Sequence, residues 1–77
     1  MSKLPVIDFR TMDRLLRHLG FLPVRQKGGH VCYRCDEGRT TTVPDHGGKD
    51  LARPLIADIL KDLRISQDEY RGLLDEI

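Results

Sequence analysis

Two adjacent glycines, Gly28 and Gly29, constrain this chain more than any other feature. On either side of them the apolar residues alternate with polar ones: Leu22 and Val24 before, Val31, Tyr33 and Cys35 after. A period of two on both flanks of a two-residue glycine turn specifies a β-hairpin. The expected turn is type I′, with positive φ at both glycines. It pairs Lys27 with His30, Gln26 with Val31, Arg25 with Cys32 and Val24 with Tyr33. Asp36-Glu37-Gly38 suits a second, three-residue hairpin turn with Gly38 in the left-handed region. That loop length sets Val31 opposite Val43 and Tyr33 opposite Thr41. A two-residue loop would put Val43 on the face opposite Val31, so burial parity favours three residues.

The register has a chemical consequence. One face of the sheet is expected to carry Leu22, Val24, Val31, Tyr33 and Val43, which helices can cover. The other carries Arg25, Lys27, His30, Cys32, Arg34, Thr40 and Thr42. Arginine binds phosphate bidentately, lysine as a point charge and threonine through its hydroxyl, so the open face suits a polyanion.

Outside residues 21–44 the apolar period is helical. Asp8 is a candidate N-cap for a helix from about Phe9 to Leu19, with Met12, Leu15 and Leu16 on one face and Gly20 at C′. Arg10, Arg14 and Arg17 face water, and His18 reads as a structural residue at the C-terminal end of the dipole. Pro44 to Asp50 is a loop, and Arg53-Pro54 opens a second helix with proline at or near its first position. Its buried stripe is Leu55, Ile56, Ile59, Leu60 and Leu63. Ser66-Gln67-Asp68-Glu69 is a capping box for a third helix with Tyr70, Leu73, Leu74 and Ile77 on its apolar face. The expected class is α+β, in the order α-β-β-β-α-α, with helices on one face of a three-stranded antiparallel sheet.

At 77 residues the chain fits one domain, residues 1–77, with a small core. No apolar run approaches a membrane span, and the first residues lack the apolar stretch of a secretory signal, so the expected location is the cytoplasm. Residues 1–44 carry eight Lys/Arg against four acids, giving +4; residues 45–77 carry five against eight, giving −3. This asymmetry agrees with a polyanion-binding face in the first half. Cys32 and Cys35 have C-x-x-C spacing, but within a strand they point to opposite faces about 10 Å apart, too far for a disulfide. They read as two ordinary thiols, and no metal site is expected. Gly47-Gly48-Lys49 lacks the spacing of a P-loop and reads as a solvated loop. No other familiar catalytic motif is present. His30 is therefore the candidate catalytic group, at the edge of a glycine turn with Lys27 opposite and Arg25 and Arg34 nearby.

Taken in order, several stretches resemble the HicA toxin family of bacterial and archaeal toxin–antitoxin systems, small messenger-RNA interferases. They are Arg25-Gln26-Lys27-Gly28-Gly29-His30, Tyr33-Arg34, Asp36-Glu37-Gly38-Arg39, Thr42-Val43-Pro44 and His46-Gly47-Gly48-Lys49-Asp50-Leu51. The resemblance implies a double-stranded-RNA-binding-like fold and metal-independent cleavage of mRNA, with no cofactor. It places the catalytic role on His30 and implies a cognate HicB-like antitoxin. Gly29 stands where serine is usual in the family, and Val31 and Cys35 where histidine is frequent. RNA contacts are expected from Arg25, Lys27, Gly28, Gly29, Arg34 and Lys49, and direct DNA binding is not expected. The donor of a proton to the leaving oxygen stays open among Lys49, His46, water and His30 itself. The alternative is a non-catalytic RNA-binding module of the same fold.

Overall fold

The computed structural model describes residues 3–77. Its elements follow the order α1 (Phe9–His18), β1 (Leu22–Lys27), β2 (His30–Arg34), β3 (Thr40–Pro44), α2 (Arg53–Leu63) and α3 (Gln67–Glu76). This is the expected α-β-β-β-α-α arrangement.

Local chemistry sets the helix ends. Asp8 caps α1 by accepting the Thr11 amide at 2.9 Å, which satisfies one of the orphan N–H groups of the first turn. The chain leaves α1 through Leu19 and then Gly20, whose φ of +91° only glycine adopts without strain. Proline stands in the first turn of α2, where its missing N–H is not needed. At the end of α2 the left-handed cap is Arg64 (φ 59°), a residue type that ordinarily avoids this region. The Ser66–Glu69 capping box opens α3, each residue bonding the other's backbone N–H at 3.0 Å.

The sheet has strand order β1-β2-β3, all antiparallel. Cys35 and Gly38 close the β2–β3 turn: the Cys35 amide donates to the Arg39 carbonyl and the Gly38 amide to the Cys35 carbonyl. Gly38 has φ +88°. Only Asp36, Glu37 and Gly38 are therefore outside the ladder, and Val31 faces Val43 and Tyr33 faces Thr41 as the parity argument requires.

Helices cover one face of β2 and β3. Tyr33, fully buried, donates from its hydroxyl to Asp13 of α1 at 2.6 Å. Thr41, buried on β3, donates to Asp62 of α2 at 3.0 Å. Between them lie Met12, Leu15, Leu16, Val31, Val43, Ile56, Ile59, Leu60 and Leu63. Leu4 is tucked into the same core, and its backbone carbonyl accepts from Arg53 while Pro5 accepts from the Tyr70 hydroxyl.

β1 departs from expectation. From Lys27–His30 to Arg25–Cys32 the register is as expected, but Pro23, not Val24, then faces Tyr33, and Leu22 faces Arg34. Val24 is the extra residue of a β-bulge, standing with Arg25 opposite Cys32. Leu22 therefore lies on the open face beside Arg34, since cross-strand partners share a face. Every residue of β1 is exposed, with Leu22 at 56% and Val24 at 57%. The physical reason is that α1 and α2 span only β2 and β3; β1 projects past them, so neither of its faces finds apolar cover. The glycine turn also differs. Gly28 has φ +60° but Gly29 does not have positive φ, which is the type II′ pattern.

Candidate functional site

The open face of the sheet assembles most of the expected residues. Lys27 lies across from His30 and Arg25 across from Cys32. On the other side of β2, Cys32 faces Thr42 and Arg34 faces Thr40. Arg25, Lys27, His30, Cys32 and Thr42 line a shallow depression of about 470 Å³. All of these but Cys32, which is half-buried, are exposed. Cys35, in contrast, is buried in the core, so the two thiols do occupy opposite sides of the sheet.

The cations of this face share one surface and, among the described residues, carry no carboxylate partner. Three arginines elsewhere have acidic partners: Arg17 pairs with Asp13, Arg39 with Glu37 and Arg71 with Asp68. Among the described residues, no ion pair involves Arg25, Lys27, His30 or Arg34. The charge of Arg25, Lys27 and Arg34 is free to act on a bound anion, an attraction that added salt screens. His18, the other histidine in a defined element, instead sits 3.2 Å from Glu76 at the far end of α1, consistent with a structural role.

The glycine turn is tied to the loop that leaves β3. The Asp45 amide donates to the Gly29 carbonyl at 2.6 Å, so loop 45–50 starts beside His30's strand end. A Cβ at Gly29 would meet only the Asp45 carbonyl, at 3.8 Å. Position 29 therefore has room for a side chain, whereas Gly28 is held in the left-handed region. The far end of the loop is pinned elsewhere: Asp50 bridges to Asp8, and the Leu51 amide donates to Ile7. Lys49 rides this loop, exposed, and does not line the depression. The structure thus brings Arg25, Lys27 and His30 around one depression beside the Gly28–Gly29 turn; Arg34 lies on the same face at the far end of β2, and Lys49 lies on the loop beyond.

A second hollow, of about 480 Å³, lies between loop 45–50 and α1. Its charged lining is Asp8, Asp13 and Asp45 against Arg10, a balance that repels phosphate. No group of three His, Cys, Asp or Glu side chains among the described residues is arranged to hold a metal ion. No helix among them is long and apolar enough to cross a membrane.

Sequence reasoning misses two features of this face. Alternation assigns Leu22 and Val24 to the core side; Pro23 is the available counter-signal, because proline inside a strand marks an edge or a bulge. The anchoring role of Asp45 leaves no signal at all, since it acts through backbone. No curated protein matches the chain. A family model described as the HicA toxin of bacterial toxin–antitoxin systems matches residues 9–65, from the start of α1 to just past α2.

Proposed function

Since the chain belongs to the HicA toxin family, we propose that it is a metal-independent endoribonuclease that cleaves mRNA with His30 as its catalytic residue. The observation that carries this reading is a histidine on an open sheet face, with Lys27 and Arg25 around the same depression and Arg34 farther along the strand, none of them neutralised by a carboxylate among the described residues. RNA supplies its own nucleophile in the ribose 2′-hydroxyl, so a base and a source of positive charge suffice. The neutral imidazole of His30 takes the 2′-hydroxyl proton, and the oxygen attacks the adjacent phosphorus. The bond to the 5′-oxygen breaks, leaving a 2′,3′-cyclic phosphate. The departing oxygen takes a proton from water or from the imidazolium just formed. Arg25, Lys27 and Arg34 stabilise the charge that builds on the phosphoryl oxygens. Gly28 and Gly29 let the RNA backbone approach the turn closely, and Lys49 adds a phosphate contact beyond the depression.

The same reading includes a cognate HicB-like antitoxin that restrains the toxin, and a place of action in the cytoplasm where mRNA is found. The decisive experiment is His30→Ala in purified protein. Loss of a general base costs about 10²–10⁴-fold in rate, and RNA binding survives because the three cations remain. A variant that still cleaves at near wild-type rate removes His30 from the mechanism. A wild-type protein that binds RNA without cleaving it is a binding module instead.

A further inference from the structure

The bulge at Val24 puts two aliphatic side chains where an RNA-binding face has no use for them. Leu22 and Val24 are the only large apolar side chains exposed among the described residues, at 56% and 57%. Regular pairing would have turned both toward the helices. The bulge instead sets Leu22 across from Arg34 and Val24 beside Arg25, so an apolar pair adjoins two unpaired cations, one of which lines the depression. Bulges recur where a strand must re-aim a side chain.

We propose that Leu22 and Val24 are the apolar anchor for the antitoxin, a protein partner whose contact surface places an apolar group against this pair and carboxylates against Arg25, Lys27 and Arg34. This rests on the toxin reading above and names the surface through which the toxin is restrained. Three observations favour a protein over other occupants. Nucleobases stack on aromatic rings or guanidinium planes, and the aliphatic Leu22 and Val24 offer neither. A second copy of the chain would bring Arg25, Lys27 and Arg34 against their own equivalents, a like-charge contact. Protein interfaces, in contrast, combine an apolar centre with arginine and a charged rim. The edge of β1 is itself poorly suited to pairing with a foreign strand, because Pro23 donates no hydrogen bond and the bulge distorts the edge. Docking is therefore through side chains of the open face.

The test uses Leu22→Thr with Val24→Thr, which keeps strand preference and removes apolar surface, against the cognate HicB-like antitoxin of the proposed function. Affinity is measured by calorimetry, RNA cleavage in parallel, and the fold by circular dichroism. The expected result is antitoxin binding weakened about tenfold or more with cleavage unchanged. The single variants, each with part of the loss, replace the double one if it melts. In contrast, Arg25→Glu with Lys27→Glu weakens binding of antitoxin and RNA together. Unchanged antitoxin affinity in the threonine variant overturns the proposal. So does an equal loss of cleavage in a folded variant, which assigns the pair to RNA, or loss of a wild-type self-association, which assigns it to a second copy. Antitoxin affinity is read without any cleavage, so an inactive wild-type toxin would defeat the ribonuclease reading and leave this measurement intact.

Discussion

At the scale of single residues, burial and partner decide which polar side chain is structural and which is available. Tyr33 and His30 sit three residues apart on one strand, on opposite faces. The Tyr33 hydroxyl is enclosed and committed to Asp13, and burial together with that bond pushes its pKa well above the ordinary tyrosine value of 10.0. Removing it in Tyr33→Phe leaves Asp13 without this donor, at a cost of about 1.5–3 kcal/mol for a bond to a charged group. A urea titration measures that loss, and cleavage per folded molecule is expected to hold. Arg39 is committed in the same way: its guanidinium pairs with Glu37, lies over the Phe21 ring at 5.6 Å and donates to the Leu63 carbonyl at the end of α2. It belongs to a stretch that carries the family resemblance, yet its work here is to clip the β2–β3 turn to a helix end. Arg25, Lys27 and Arg34 have no such commitments, which separates them from the structural arginines better than position in the sequence does.

At the scale of elements, what is legible in the sequence is what local chemistry determines. Asp8, Gly20, Gly38 and the Ser66 box mark helix ends and one turn because each satisfies or frees a backbone group within a few residues. Ser66→Ala removes one side of the box and is expected to cost about 1 kcal/mol of stability, readable as a lowered urea midpoint with an unchanged slope. The half of the β1–β2 ladder nearest the glycine turn is legible too, because a tight turn dictates register over the next few pairs. The bulge is not. Leu22 and Val24 alternate with their neighbours just as buried strand residues do, and the period contains no information on how far the helices reach across the sheet. The type of glycine turn is hidden for a related reason, since glycine accepts both φ patterns. Lys49 falls outside the depression because its loop is routed by the Asp8–Asp50 bridge and the Ile7–Leu51 bond, contacts more than 40 residues apart in the chain. The left-handed Arg64 offers no signal, as a glycine would have.

For the molecule as a whole, the helical layer and the open sheet face respond to different variables. Stability follows the core. Burial pushes the Tyr70 hydroxyl up to about 12, and Tyr33 is shifted in the same direction. Both phenols are protonated in the fold at pH values where an unfolded chain already loses its protons. Their contribution is thus fully present below about pH 10 and declines as pH rises through the folded-state values. The melting temperature is expected to fall between about pH 10 and 12, and Tyr70→Phe to flatten that fall; an identical alkaline profile in the variant would show that Tyr70 is not its source. On the proposed reading function follows the face, where exposed cations are expected to make RNA affinity decline with salt, a slope that a binding titration at several salt concentrations measures. The projecting β1 adds a kinetic dimension to this division. It is held by hydrogen bonds to a single neighbour, with water on both faces, whereas β2 is enclosed between two strands beneath the helices. Such a strand belongs to the least protected part of a domain. Its amides are expected to exchange with deuterium well before those of β2, and the Lys27 side of the depression can open and reclose while His30 stays fixed on the inner strand.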